Sequence, residues 1–274
     1  MTIEEVLDDV ATLLENGTNV VTTVTDFHAG GNPKLGEGLE RLKEACRKGG
    51  ASIYATGSDP GFALEQLPFA FLAAQRKVNR IEILEYGDMS RRPSPHMLFE
   101  QVGFGKPMST FVPDARSEHL IDGYTQALSA LAKAAGFEID GVSAHGEAAA
   151  ARHDTKLIAG EIKAGTIAAH RYFMNIISGG RKVVTLEQYM YVTRDVEPDW
   201  GIGATGWRLK IDGDAPFDVR VDFPVPQDRI GEYVPAYNAN LAVNAIPYLC
   251  AAPAGFVQTT DLTPILPVGP TMQE

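Results

Sequence analysis

Within its first 61 residues the chain twice alternates a helical repeat with a short apolar run, and that alternation leaves few folds open. Ile3, Val6, Leu7, Val10, Leu13 and Leu14 fall on one stripe of a 3.6-residue repeat. Thr2 with Glu5 three residues on reads as a capping box, and Asn16-Gly17 supplies a left-handed stop. The β-branched run Val20–Val24 follows. A second helix carries Leu35, Leu39, Leu42 and Cys46, stops at Gly49-Gly50, and leads into Ser52-Ile53-Tyr54-Ala55-Thr56. Short apolar strands between amphipathic helices are the pattern of a parallel sheet with both faces covered.

The character changes past Gly61. A helix is expected over 62–77, a strand over 80–86, and a helix near 118–135 with Leu120, Tyr124, Leu128 and Leu131 on one stripe. Strands then dominate, at about 140–145, 151–158, 165–177, 181–193, 204–211 and 216–223. Val184, Leu186, Gln188, Met190 and Val192 share one strand face, and long strands in succession predict an antiparallel sheet with one covered face. A last helix near 230–249 is punctuated by Pro235 and Pro247, and the tail from Pro253 reads as loop. The expected layout is an α/β piece (1–61), an α+β piece (62–227), and a C-terminal helix and tail (228–274) that returns to the first.

Apolar residues make up 45% and charged residues 22%, which suits a globular chain and is too apolar for a disordered one. A net charge of −11 argues against a general nucleic-acid binder, which needs a basic face. A single phosphate pocket stays open, because backbone N–H groups supply one locally. No run reaches the ~18 apolar residues of a membrane span; 62–74 is broken by Glu65, Gln66 and Pro68. The start, MTIEEVLDDV, puts four acids where a signal peptide carries positive charge. Two cysteines, Cys46 and Cys250, fit a reduced chain. The expectation is a soluble, cytoplasmic protein with no nucleic-acid or membrane partner.

Gly201-Ile202-Gly203-Ala204-Thr205-Gly206 matches G-x-G-x-x-G by letter, but a loop precedes it and a strand follows. A dinucleotide fingerprint works between a strand and a helix, so this reads as a hairpin connection. Gly36-Glu37-Gly38 lacks the third glycine. Gly57-Ser58-Asp59-Pro60-Gly61-Phe62 is better placed, leaving a parallel strand and opening a helix, where open α/β sheets bind ligands; a capped strand-to-helix turn explains it as well. The loop after Val20–Val24 holds Asp26 and His28, an acid/base pair by type, against which stand an Asx turn and a solvated histidine. His170 and Tyr172 alternate on one face of their strand, suited to a cleft wall or to the core. His145 and His153 lack metal spacing, and neither H-E-x-x-H nor C-x-x-C occurs, so no metal is expected.

An ordered series of motifs runs through nearly the whole chain: Asn19-Val20-Val21-Thr22-Thr23, Ala45-Cys46, Gly57-x-x-Pro60-Gly61-Phe62, Glu85 with Asp88-Met89-Ser90, and Phe99-Glu100-x-x-Gly103-Phe104-Gly105-x-Pro107. It continues with Ala164-Gly165-Thr166-Ile167-Ala168-Ala169, Glu197-Pro198-Asp199-Trp200 and Val243-Asn244-Ala245-Ile246-Pro247. Together these resemble the dihydrodipicolinate-reductase-like NAD(P)-dependent oxidoreductases, in the branch of 2,4-diaminopentanoate dehydrogenase and the native amine dehydrogenases.

The resemblance implies a homodimer whose subunit joins part of a Rossmann parallel sheet to a mostly antiparallel α+β sheet domain. The C-terminal helix packs back on the Rossmann part. It implies NAD or NADP as cofactor and hydride exchange with a C=N or C=O carbon of a small amine, imine or ketone. By position in the motifs, Thr22, Thr23, Gly57, Pro60, Gly61, Phe62 and Asn244 fall to the cofactor, and Glu85, His170 and Tyr172 to the substrate. The family places a carboxylate, often two adjacent glutamates, in the loop after the strand matched by Val20–Val24; here that loop has Thr25-Asp26. Asp26, with His28, is therefore the expected catalytic group. The family's opening strand, glycine turn and ribose-selecting residue are not matched. The enzyme reading thus expects an upstream segment. The alternative is a cofactor-independent, dimeric small-ligand-binding remnant of that family, or an inert truncated product.

Overall fold

The computed structural model describes residues 2–226, 229–262 and 264–266, the side chains of 114–120 excepted. In chain order come α1 (Ile3–Glu15), β1 (Val20–Thr22), α2 (Glu37–Gly49), β2 (Ser52–Ala55), α3 (Leu67–Leu72), β3 (Val78–Asp88) and α4 (Pro113–Ala134). Next are β4 (Gly141–Ala151), β5 (Thr155–Leu157), β6 (Gly160–Ile162), β7 (Ile167–Ser178), β8 (Arg181–Tyr191) and β9 (Val196–Glu197). Last are β10 (Gly206–Gly213), β11 (Phe217–Asp222), α5 (Ile230–Ala251) and β12 (Gly255–Val257). Two compact units result. One comprises the described parts of Met1–Pro68, Asp122–Ala130 and Val234–Glu274, the other Phe69–Ile121 and Leu131–Tyr233.

The first unit is a parallel sheet in the order β1-β2-β12. α1 starts where the sequence says: the Glu5 N–H donates to the Thr2 hydroxyl at 3.3 Å, and the Thr2 N–H donates to Glu5 Oε2 at 2.7 Å. Those bonds satisfy two end donors that a helix leaves unpaired. β2 is buried throughout because it is central and its side chains alternate between two cores. Ile53 and Ala55 pack with Leu14, Leu42 and Phe27, whereas Tyr54 packs with Ala245, Leu249 and Val257. β12 corrects the reading of the tail as loop. Three residues carry too little alternation to show as a strand, yet Phe256 pairs with Ile53. α5 runs through Pro235 and Pro247 without breaking.

The second unit is a mixed sheet in the order β11-β10-β3-β8-β7-β4-β9, in which β3 and β8 run parallel and the other neighbours antiparallel. β4 continues to Ala151 instead of stopping near 145, since its alanine run pairs with β7, Ala149 opposite Ala169. Residues 151–158 do not form one strand; β5 and β6 make a separate hairpin there. The helix expected to reach residue 77 ends at Leu72. The central strands are buried on both faces rather than one: on β7, His170, Tyr172, Met174 and Ile176 on one side, Ala169 and Asn175 on the other. Leu120, expected on the stripe of α4, lies outside the described side chains.

Gly201–Gly206 is not a hairpin connection. β9 pairs with β4 near one edge of the sheet, whereas β10 pairs with β3 and β11 near the other, so 198–205 crosses a sheet face as a strap. Trp200 lies over the Arg171 guanidinium, 4.6 Å from ring centroid to Cζ, and the Tyr191 hydroxyl donates to the Gly203 carbonyl at 3.0 Å. Burial, reinforced by Asp88, pushes the Tyr191 pKa up to about 12, which keeps it a donor. Among the described residues no helix is long and apolar enough to cross a membrane, and no group of three or more potential metal ligands occurs.

Candidate active site

In the first unit the segments leaving β1, β2 and β12 meet at the carboxyl edge of the sheet. The Thr22 hydroxyl accepts from the Val24 N–H at 3.1 Å and turns the chain; Thr23 is exposed. Residues 25–30 make two tight turns that separate the fates of Asp26 and His28. Asp26 is half-buried and braces its own loop: Oδ1 accepts from Asn32 Nδ2 at 2.9 Å, and its carbonyl from the Asn32 N–H at 2.7 Å. Asn32 Nδ2 also donates to the Asp122 carbonyl at 3.3 Å.

His28 is not solvated. It is 1% exposed, and its Nδ1 lies 3.1 Å from Oε1 of Glu65, itself 2% exposed. Glu65 Oε2 accepts from the Thr259 hydroxyl, and Thr259 Oγ1 lies 3.1 Å from the Tyr54 hydroxyl. The side chains of Thr56 and Gln66 also face Tyr54 without reaching hydrogen-bonding geometry. Burial raises the Tyr54 pKa, and the neighbouring Glu65 adds to the rise.

After β2, the Ser58 N–H donates to Asn238 Oδ1 of α5 at 2.6 Å, and the Phe62 N–H donates to the Gly57 carbonyl at 2.8 Å. Pro60 and Gly61 are buried and Phe62 half-buried. Gly61 has φ +126°, and a Cβ there would meet Thr56 Oγ1 at 3.2 Å, so the turn accepts only glycine without strain. Asn244 sits on α5, half-buried, beside Ala245 of the Tyr54 core. The structure thus brings Thr22, Asp26, His28 and Gly57–Phe62 to one edge, and adds Glu65, Thr259, Tyr54 and Asn238. Sequence reasoning treated Glu65 only as a break in an apolar run; that isolated acid was the available signal.

In the second unit, Glu85 of β3 lies opposite Gln188 of β8, which lies opposite Tyr172 of β7, so the three share one face. Gln188 Nε2 donates to Glu85 Oε2 at 2.5 Å. His170, two residues along β7, is buried with its ring 5.8 Å from that of Tyr172 and 5.3 Å from that of Phe104. Glu85, His170 and Tyr172 are therefore one group of neighbours, with Gln188 the member that the sequence reading missed.

Residues 62–271 match the model of the 2,4-diaminopentanoate dehydrogenase C-terminal domain. Over 269 residues the chain is 24% identical to a protein named amine dehydrogenase from Streptomyces virginiae, covering 94% of this chain and 73% of the relative. Its structure resembles that of amine dehydrogenase from Mycobacterium smegmatis, with TM-score 0.69 and 14% identity over 96% of this chain and 74% of the other. At that identity the likeness concerns the fold.

Proposed function

The chain belongs to the family of the 2,4-diaminopentanoate dehydrogenase C-terminal domain, and from that premise we propose that it serves a dehydrogenase-type oxidoreductase. The reaction is hydride exchange between a nicotinamide cofactor, NAD or NADP, and the carbon of a small amine/imine or alcohol/carbonyl pair. The family match and the amine dehydrogenase relative support the reaction class. The observation that carries the site is the meeting of Asp26, His28 and the Gly57–Phe62 turn at the carboxyl edge of a parallel sheet, where open α/β sheets take their ligands.

The nicotinamide end of a cofactor is assigned to this edge, where Asn238 and the left-handed Gly61 fix the Gly57–Gly61 backbone. Thr22, Thr23, Gly57, Pro60, Gly61, Phe62 and Asn244 would hold it, and once bound it supplies the hydride donor or acceptor. The one G-x-G-x-x-G match is a strap leading into a strand, so it does not fit the pyrophosphate. The phosphate cradle would then come from sequence outside these residues. Asp26 offers a carboxylate to an amine nitrogen, and His28 moves a proton. As in the family, the assembly is a dimer.

The test is nicotinamide-linked turnover of the full-length gene product on amines, ketones with ammonia, and alcohols. Turnover is expected, and Asp26→Ala should depress kcat well beyond its effect on cofactor binding. No turnover with any of these classes in either direction contradicts the proposal, and unchanged kinetics remove Asp26 from the mechanism.

A further inference from the structure

The buried line through Tyr54, Thr259, Glu65 and His28 has its donor order fixed by valence. Thr259 has one hydroxyl proton and gives it to Glu65 Oε2, so the Tyr54 hydroxyl, 3.1 Å from Thr259 Oγ1, must donate to it. Burial holds Tyr54 protonated, as that role requires. With Glu65 as a carboxylate, both of its oxygens accept, and His28 Nδ1, at 3.1 Å from Oε1, is then the atom that carries the hydrogen. A neutral ring protonated at Nδ1 keeps its lone pair on Nε2. His28 Nε2 is buried and has no hydrogen-bond partner among the described residues. A buried acceptor left unpaired is disfavoured, so it points to a proton carrier absent from the chain itself.

We propose that Glu65 is a positioning residue: it fixes His28 as the Nδ1–H tautomer and makes Nε2 the atom that takes and returns the reaction's proton. That use rests on the hydride-transfer reading above. In the oxidative direction a bound oxidised nicotinamide would take up the electron pair of the substrate C–H bond as hydride. The C=N or C=O bond forms, and the one proton released from N–H or O–H passes to Nε2. Glu65 itself gains and loses nothing. Its charge stabilises the imidazolium, and its geometry sets which nitrogen reacts.

The first experiment is 15N NMR of the histidine rings in the wild-type 274-residue chain at neutral pH. The expected result is a His28 ring protonated at Nδ1 and bare at Nε2; a ring protonated at Nε2 overturns the proposal. Glu65→Gln should change the tautomer balance. A His28 spectrum unmoved by Glu65→Gln overturns the proposal as well. In the active gene product, Glu65→Gln should lower kcat by about 100-fold or more with KM little changed, the size of a lost acid/base contribution. An unchanged kcat overturns the catalytic use. The NMR readout needs no turnover, so an inactive protein with the Nδ1–H tautomer would sink the functional reading and leave the role of Glu65 in fixing the ring standing.

Discussion

Tyr54 shows what burial asks of a single hydroxyl. Its pKa is raised above the ordinary tyrosine value of 10.0, by burial first and by Glu65 as well, so the folded state holds a proton that the unfolded chain gives up sooner. Stability from this group is complete below about pH 10 and declines as pH rises toward the folded value. Thermal melts should therefore lose stability through that alkaline window, and Tyr54→Phe should flatten the loss while costing about 1 kcal/mol at neutral pH through the broken bond to Thr259. Equal alkaline slopes in the two proteins would contradict it. Asn238→Ala should likewise cost about 1 kcal/mol, because the Ser58 N–H loses its acceptor. An unchanged Tm in Asn238→Ala would show that the turn after β2 needs no such anchor. Residue identity alone singled out Asp26 and His28, but it gave them the wrong surroundings. The partner that buries His28 lies 37 residues away, and the hydroxyl behind Glu65 a further 194. No local pattern records such distances.

Elements were legible in proportion to how local their causes are. α1 announced itself by its stripe and capping box, and α2 by its stripe and its glycine stop, since helices satisfy their hydrogen bonds within a few residues. β8 shows in the alternation of Val184, Leu186, Gln188 and Met190, but the two-sided burial of the central strands depends on what packs above and below them. β12 and the strap over 198–205 escaped because each is defined by pairing or crossing with distant chain. One element-level contact can be tested directly. α1 and α2 approach so closely that a Cβ on Gly49 would lie 1.8 Å from the Leu14 carbonyl oxygen. Gly49→Ala must push the helices apart, and overpacking of this kind costs about 1–3 kcal/mol. A clear fall in Tm is expected by calorimetry, and an unchanged Tm would mean that the helices do not meet as described.

For the molecule as a whole, the parallel-sheet unit runs past Gly61 to Pro68 and takes Asp122–Ala130 from α4, a division that no change in local pattern near Gly61 records. The resemblance to the family is carried by motifs in order rather than by any one of them, and the match over residues 62–271 shows membership. In the second unit, Glu85, Tyr172 and His170 become neighbours only when β3, β8 and β7 lie side by side. Sedimentation of the chain should show a dimer, and a monomer at all concentrations would remove the assembly from the proposal. The most direct test of the nicotinamide site is a fluorescence titration of the full-length gene product with NADH and with NADPH, following nicotinamide emission. Saturable binding of at least one of them is expected, because the proposed site sets Thr22 beside the Gly57–Phe62 turn at the carboxyl edge of the sheet. No saturable change with either cofactor, from a sample that melts cooperatively, would contradict a nicotinamide site at the carboxyl ends of β1 and β2.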